Sequence, residues 1–201
     1  MDPFVILVVF AVIAAAELPD KSLFASLVLA TRYRAAWVFV GVAAAFLVHV
    51  TIAVIAGGVL SLLPHRLLQA IVAALFAAGA LILLLGREAD EVSAGVEDAM
   101  QAGPTGRPHT FRRVALTSFG VVFVGEWGDI TQIATANYAA RYHDPVSVAI
   151  GATLGLWAVA ALAVTAGKKA LDYIAVSVVR RATGMVLAVF AVLSAVAALS
   201  G

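Results

Sequence analysis

Glu17-Leu18-Pro19-Asp20-Lys21-Ser22 and Glu126-Trp127-Gly128-Asp129-Ile130-Thr131 are two copies of one pattern, 109 residues apart. Each has an acid, a second acid three residues on, and a hydroxyl two residues after that, set inside a long apolar run. The same offset pairs Ser26 with Thr135, and Arg32-Tyr33 with Arg141-Tyr142. An E-x-x-D pair recurring at matching places in two halves is unlikely by chance, so the pattern marks an internal duplication.

Composition identifies the solvent in which that duplication folds. Of the 201 residues 63% are apolar and 12% charged, with a mean hydropathy of +1.04. Soluble domains average roughly 45–50% apolar and about 25% charged. Several stretches are free of charge over the ~18 or more residues a helix needs to cross ~30 Å of hydrocarbon. The sequence therefore predicts an all-α integral membrane protein of six transmembrane helices, at about 3–29, 35–63, 67–86, 114–140, 145–166 and 177–199. Three spans per half is an odd number, so the second copy must run inverted through the membrane. The domain reading is a first three-helix repeat over 1–86, a linker over 87–110, and a second three-helix repeat over 111–201. The linker holds Glu88, Asp90, Glu91, Glu97 and Asp98, then Gly103, Pro104, Gly106 and Pro108. That composition predicts a solvated, disordered segment.

Charge and cysteine narrow the function classes. A net charge of +1 leaves no electrostatic footprint for nucleic acid. The absence of cysteine excludes disulfides, iron–sulfur clusters and thiolate metal sites. Asp2 stands where a signal peptide would carry a basic residue, so the first apolar run is read as a retained span. Arg32, Arg34, Arg87, Arg107, Arg112, Arg113, Lys168, Lys169, Arg180 and Arg181 fall in the connectors after spans one, three and five; only Arg66 and Arg141 lie on the other side. Basic residues favour the cytoplasm, which predicts a multi-pass cell-membrane protein with both termini outside and the linker cytoplasmic.

Glu17 lies about fourteen residues into its span and Glu126 about twelve, which at ~1.5 Å per residue brings both near the bilayer centre. An acid there costs several kcal/mol and usually faces a cavity or a partner. In a continuous helix the spacing of three puts Glu17 with Asp20, and Glu126 with Asp129, on one face. Four converging carboxylates make an all-oxygen site suited to Ca²⁺, Mn²⁺ or Mg²⁺. A single acid could instead pair with Lys21 or cap a broken helix. One lysine cannot neutralise four carboxylates in lipid, so protons or metal must supply the balance.

Other residues fall into supporting places. Pro19 kinks its helix, and Gly128 permits a similar break. Ser22 and Thr131 are rotated ~200° from the aspartates and reach an ion only where the helix unwinds; otherwise they bond back to a carbonyl. Gln132, one turn beyond Asp129, is a candidate amide ligand, while Ser26, Thr135 and Asn137 are weaker lining residues. Lys21 is a charge partner for the acids or a snorkelling side chain, and its counterpart is the neutral Ile130. His49 shares a face with Gly41 and Ala45, a stripe that reads first as close helix packing and second as the setting of a proton relay. Gly151 and Gly155 repeat the stripe without a histidine. Trp127 and Trp157 read as packing or interfacial residues.

At the two motifs the sequence resembles the Gdt / transmembrane-protein-165 family of cation/proton exchangers, which carries E-φ-G-D-[KR]-[ST] once in each three-helix half. Pro19 replaces the first glycine and Ile130 the second basic residue, while the four acids match. The resemblance covers essentially the whole chain. It implies exchange of a divalent cation for protons, Mn²⁺ export in bacterial members with Ca²⁺ as the alternative, and metal binding by Glu17, Asp20, Glu126 and Asp129. The ion is then a transported substrate, no cofactor is expected, and the chain is not an enzyme. Its partners are the divalent metal ion, protons and the lipid bilayer. Desolvation raises the proton affinity of a carboxylate and a bound cation lowers it, which couples the two ions at one site. An exporter of small organic cations or amino acids on a similar plan would instead need apolar pocket walls. A hydrolytic metal site would need histidine or cysteine ligands at spacings this chain lacks.

Overall fold

The computed structural model describes residues 1–60 except Pro19, residues 110–171, and single residues and short runs within 62–81 and 185–199. The described elements are all α-helical. Helix α1 spans Pro3–Glu17, opened by Asp2, whose side chain accepts from the Phe4 N–H at 2.9 Å, with proline in the first turn. Asp2 satisfies an otherwise orphaned donor, and the fixed φ of proline suits a helix start. Helix α2 spans Lys21–Arg32, and α3 spans Ala35–Leu60. Helix α4 spans Phe111–Gly125, and α5 spans Ile130–Tyr142. Helix α5 stops at His143, which takes a left-handed conformation at φ 52°. Helix α6 spans Pro145–Leu171.

Two helices, Ala35–Leu60 and the Pro145–Ala166 part of α6, are long and apolar enough to cross a membrane, and α1 is apolar but shorter. At ~1.5 Å per residue, the 26 residues of α3 cover about 39 Å. Exposed apolar side chains such as Phe4, Leu7, Leu47, Ile55 and Leu154 face outward from these helices. An outward apolar surface is stable against lipid, not against water.

The sequence expectation needs one correction. The runs 3–29 and 114–140, read as single spans, are each two helices meeting at a break. Helix α1 ends at Glu17 and α2 begins at Lys21; α4 ends at Gly125 and α5 begins at Ile130. The pairs Glu17/Asp20 and Glu126/Asp129 therefore do not share a helical face. Each glutamate lies at the end of one helix and each aspartate at the N-cap position of the next, in extended conformation (Asp20 φ −90°, ψ 167°; Asp129 φ −65°, ψ 165°), with only the Asp129 side chain accepting from its helix. Gly128 takes φ +78°, a conformation that costs any residue with a Cβ. Spans 67–86 and 177–199 fall largely outside the described residues, as does the 87–110 linker apart from Thr110.

Each long helix packs on the broken pair of the other half. A Cβ on Gly151 of α6 would stand 2.6 Å from the Ile6 carbonyl and 3.0 Å from the Val9 Cβ of α1. A Cβ on Gly41 of α3 would run into the Ala115 carbonyl and stand 2.9 Å from the Ser118 Cβ of α4. Ile6 and Val9 precede Ala115 and Ser118 by the same 109 residues that separate the motifs. Farther along, Gly57 of α3 lies against Ala136 and Ala139 of α5, while Val159 and Ala163 of α6 join Leu23 and Leu27 of α2. The Trp157 indole donates to the Ala43 carbonyl at 3.0 Å, tying α6 to α3. Where lipid replaces water, close backbone approach over small residues is the main source of helix adhesion.

At one end of the bundle, Asp144 caps α6. Its carboxylate accepts from the Ser147 hydroxyl at 2.6 Å and the Ser147 N–H at 3.1 Å, and the Ser147 hydroxyl accepts from the Asp2 N–H at 2.7 Å. The Ser147 hydroxyl, and then its N–H, hold the Asp144 carboxyl below its ordinary range.

Candidate metal centre

The two breaks meet in the interior. Glu17, Asp20, Glu126 and Asp129 each present one carboxylate oxygen, and these oxygens all lie within 4.8 Å of one another. Two oxygens on opposite sides of Ca²⁺ would stand ~4.6–5.2 Å apart, and on a Mg²⁺-sized ion about 4.0–4.2 Å. The cluster thus has the dimensions of one hard cation's coordination shell.

The hydroxyls reach the acids because α2 and α5 start only after the breaks. Ser22 donates to Oε1 of Glu17 across the first break. The Thr131 N–H and hydroxyl point to Oδ2 of Asp129 at 3.2 and 3.3 Å, and the hydroxyl also lies against Glu17. Glu17 has no exposed surface, and Glu126 retains 4%. The two aspartates are half-buried. Oε2 of Glu17 is buried without a hydrogen-bond partner among the described residues. An anionic oxygen so placed is costly unless a proton or a cation meets it. The Lys21 side chain, expected as a charge partner, lies outside the described residues, as does Pro19.

Beside the acids is a cavity with room for about one water-sized particle. Glu126, Thr131, Gln132, Thr135 and His49 face it, with Phe46 and Leu156 as apolar wall. His49 is buried, and both its ring nitrogens are engaged. Nε2 stands 3.1 Å from the Phe123 carbonyl and Nδ1 stands 3.1 Å from Nε2 of Gln132. A carbonyl only accepts and an amide nitrogen only donates, so this network assigns the neutral imidazole with its proton on Nε2. The Gln132 amide oxygen accepts from the Gly128 N–H at 2.8 Å. Phe123 and Trp127 flank the imidazole, with ring centroids at 5.0 and 5.9 Å.

Of the weaker sequence candidates, Thr135 is buried and donates to the Thr131 carbonyl one turn back, while Ser26 is buried on α2. Asn137 is buried with its amide oxygen unpartnered among the described residues. Trp127 is 62% exposed, as suits a ring at the lipid boundary of the site. The breaks at Pro19 and Gly128 imply freed carbonyls that could serve an ion, but nothing in the sequence marks the Phe123 carbonyl, or His49 as the group that meets it. Sequence reasoning also missed Ser118, fully buried with a hydroxyl unpartnered among the described residues. A lone serine in an apolar helix carries no spacing signal.

The chain is similar to known proteins over most of its length. The family model described as divalent cation/proton antiporter GDT1 matches residues 5–91 and 114–201. The chain is 34% identical over 191 residues to a GDT1-like protein of Synechocystis, covering 90% of this chain and 92% of that protein. It is 30% identical over 177 residues to a Vibrio cholerae protein whose name proposes manganese export, covering 85% of this chain and 80% of that protein. A chloroplastic GDT1-like protein of Oryza sativa is 26% identical over 203 residues, a match spanning 91% of this chain and 58% of the longer plant protein. No solved structure matches the chain.

Proposed function

The chain belongs to the GDT1 family of divalent cation/proton antiporters, and from that premise we propose that it exports Mn²⁺, with Ca²⁺ as the alternative cargo, in exchange for protons at the Glu17–Asp20–Glu126–Asp129 centre. The observation that carries this reading is the gathering of one oxygen from each acid within 4.8 Å around the buried Glu17 carboxyl. Ser22 and Thr131 orient that carboxyl. Gln132 and His49 stand at the cavity beside Glu126.

Coupling needs no separate device. Four carboxylates this close, away from water, are stable when protons or a dication neutralise them, and poorly stable when neither does. Metal arriving on one side displaces protons, and protons arriving on the other displace metal. The proposal extends to topology: six spans as two inverted three-helix repeats over 1–86 and 111–201, in the cell membrane, termini outside and the 87–110 linker cytoplasmic. The matched contacts of Gly41 with α4 and Gly151 with α1 support that symmetry. Alternating access would then be a rocking of one half against the other. The small cavity argues against cargo as large as an amino acid.

The test is transport by the purified chain in proteoliposomes loaded with a pH dye, cation by cation. The reading expects proton movement that requires Mn²⁺ or Ca²⁺ and disappears in Asp129→Asn. Equal proton flux with and without divalent metal would overturn it.

A further inference from the structure

The two breaks are not built alike, and the difference lies in residues outside the motifs. In the first, the Leu18 N–H donates to the Ala14 carbonyl at 3.0 Å, so the last turn of α1 closes on itself. In the second, Trp127 donates to Val124 instead, and His49 takes the Phe123 carbonyl. From His49 the hydrogen-bond chain continues through Gln132 to the Gly128 N–H. It runs from the end of α4 to the approach of α5 and is anchored on α3. The 109-residue offset takes Phe123 and Gln132 to Ala14 and Leu23, and the matched packing of Gly41 and Gly151, 110 residues apart, takes His49 to Val159; these three pack together as an apolar cluster.

We propose that His49 and Gln132 are positioning residues that brace the second break, holding Glu126 and Asp129 ready for the ion, while the first break, where apolar Leu23, Val159 and Ala14 stand in place of such a brace among the described residues, adjusts around it. This rests on the carboxylate centre proposed above. The brace uses the neutral imidazole as a donor to one backbone carbonyl and an acceptor from one amide; no side chain of it needs to touch the metal. Its effect is on the fraction of molecules whose second half is already in binding geometry. Losing preorganisation lowers that fraction, and apparent affinity falls in proportion. Turnover, which requires the whole protein to rearrange, should change less.

Kinetics of Mn²⁺ transport in proteoliposomes, measured at several pH values, test this on His49→Val, Gln132→Leu, His49→Gln and Glu126→Gln. The first two copy the apolar pair that the other half carries. They should raise KM for Mn²⁺ roughly tenfold while kcat moves less than about threefold and the pH profile keeps its shape. His49→Gln, which keeps a donor and an acceptor but does not titrate, should recover most of the lost affinity. Wild-type KM in monodisperse His49→Val or Gln132→Leu would overturn the brace. So would a fall in kcat at constant KM that His49→Gln fails to restore, since that pattern marks a proton carrier. If His49→Val cannot be recovered folded, Gln132→Leu decides alone. Glu126→Gln separates the two proposals: wild-type transport there would sink the carboxylate centre, whereas a dead Glu126→Gln beside unaffected brace variants would sink the brace only.

Discussion

Two broken helices bring matching acids to one place by different means. At the first break, α1 closes its own last turn, and the flanking residues Leu23, Val159 and Ala14 are apolar. At the second, a positive-φ glycine opens the chain, and an imidazole and an amide take up the exposed backbone groups. Orphaned backbone groups are expensive where water is scarce, so a wider break requires partners from elsewhere. The comparison teaches that a duplicated motif need not give duplicated mechanics. One copy is held from outside and the other by its own helix, which suits a site with one fixed and one adjustable wall.

The largest effect is expected from the acids themselves. Glu17→Gln and Asp129→Asn preserve volume and remove charge, and each should reduce metal transport to the liposome background while the protein still inserts. Transport at the wild-type rate in either would break the shared-site account. Next comes Gly128→Ala. Nothing lies within 4 Å of an added Cβ, so the whole cost is backbone strain at φ +78°. That strain is about 1–2 kcal/mol, equivalent to roughly tenfold in Mn²⁺ affinity if it falls on the binding-ready state. A Gly128→Ala protein with unchanged affinity would show that this conformation does not matter to binding.

A smaller effect tests the symmetry of the packing. Gly41→Val and Gly151→Val both push a side chain into a neighbouring backbone carbonyl. Each should lose ~1–3 kcal/mol of stability, as overpacking usually does. Thermal unfolding in detergent should lower both by similar amounts; a large effect at one glycine and none at the other would contradict the matched contacts. The smallest effect concerns Asp144, whose carboxyl is held below its ordinary range by Ser147. A depressed folded pKa contributes stability above the unfolded value and loses it as pH falls through the folded one. Asp144→Asn should therefore be slightly less heat-stable at neutral pH and indistinguishable from wild type in strong acid.

The sequence made the site legible because charge stands out against lipid-compatible residues. Four acids in two apolar runs, repeated at one offset, left few alternatives to a gathered cluster. The breaks were half legible. Pro19 and Gly128 announced a disturbance, but a kink and a full break leave the same residues in the sequence. Only the break turns Ser22 and Thr131 toward the acids, which a continuous helix forbids. The brace was not legible, because its bonds join residues 74 and 83 positions apart and one of its partners is a backbone carbonyl. His49 could be marked as a buried titratable group, yet its two hydrogen bonds depend on how α3 lies across the break.

The most direct test of the central claim is the proton count of metal binding. Calorimetric titration of the detergent-solubilised protein with Mn²⁺, in buffers of different ionisation enthalpy, measures protons released per ion bound. If metal and protons share the four carboxylates, about one to two protons should leave per Mn²⁺ in the pH range where the acids hold them, and Glu17→Gln should release fewer. Tight Mn²⁺ binding with no proton release at any pH from about 5 to 8 would contradict a shared site and leave proton-coupled exchange without its physical basis.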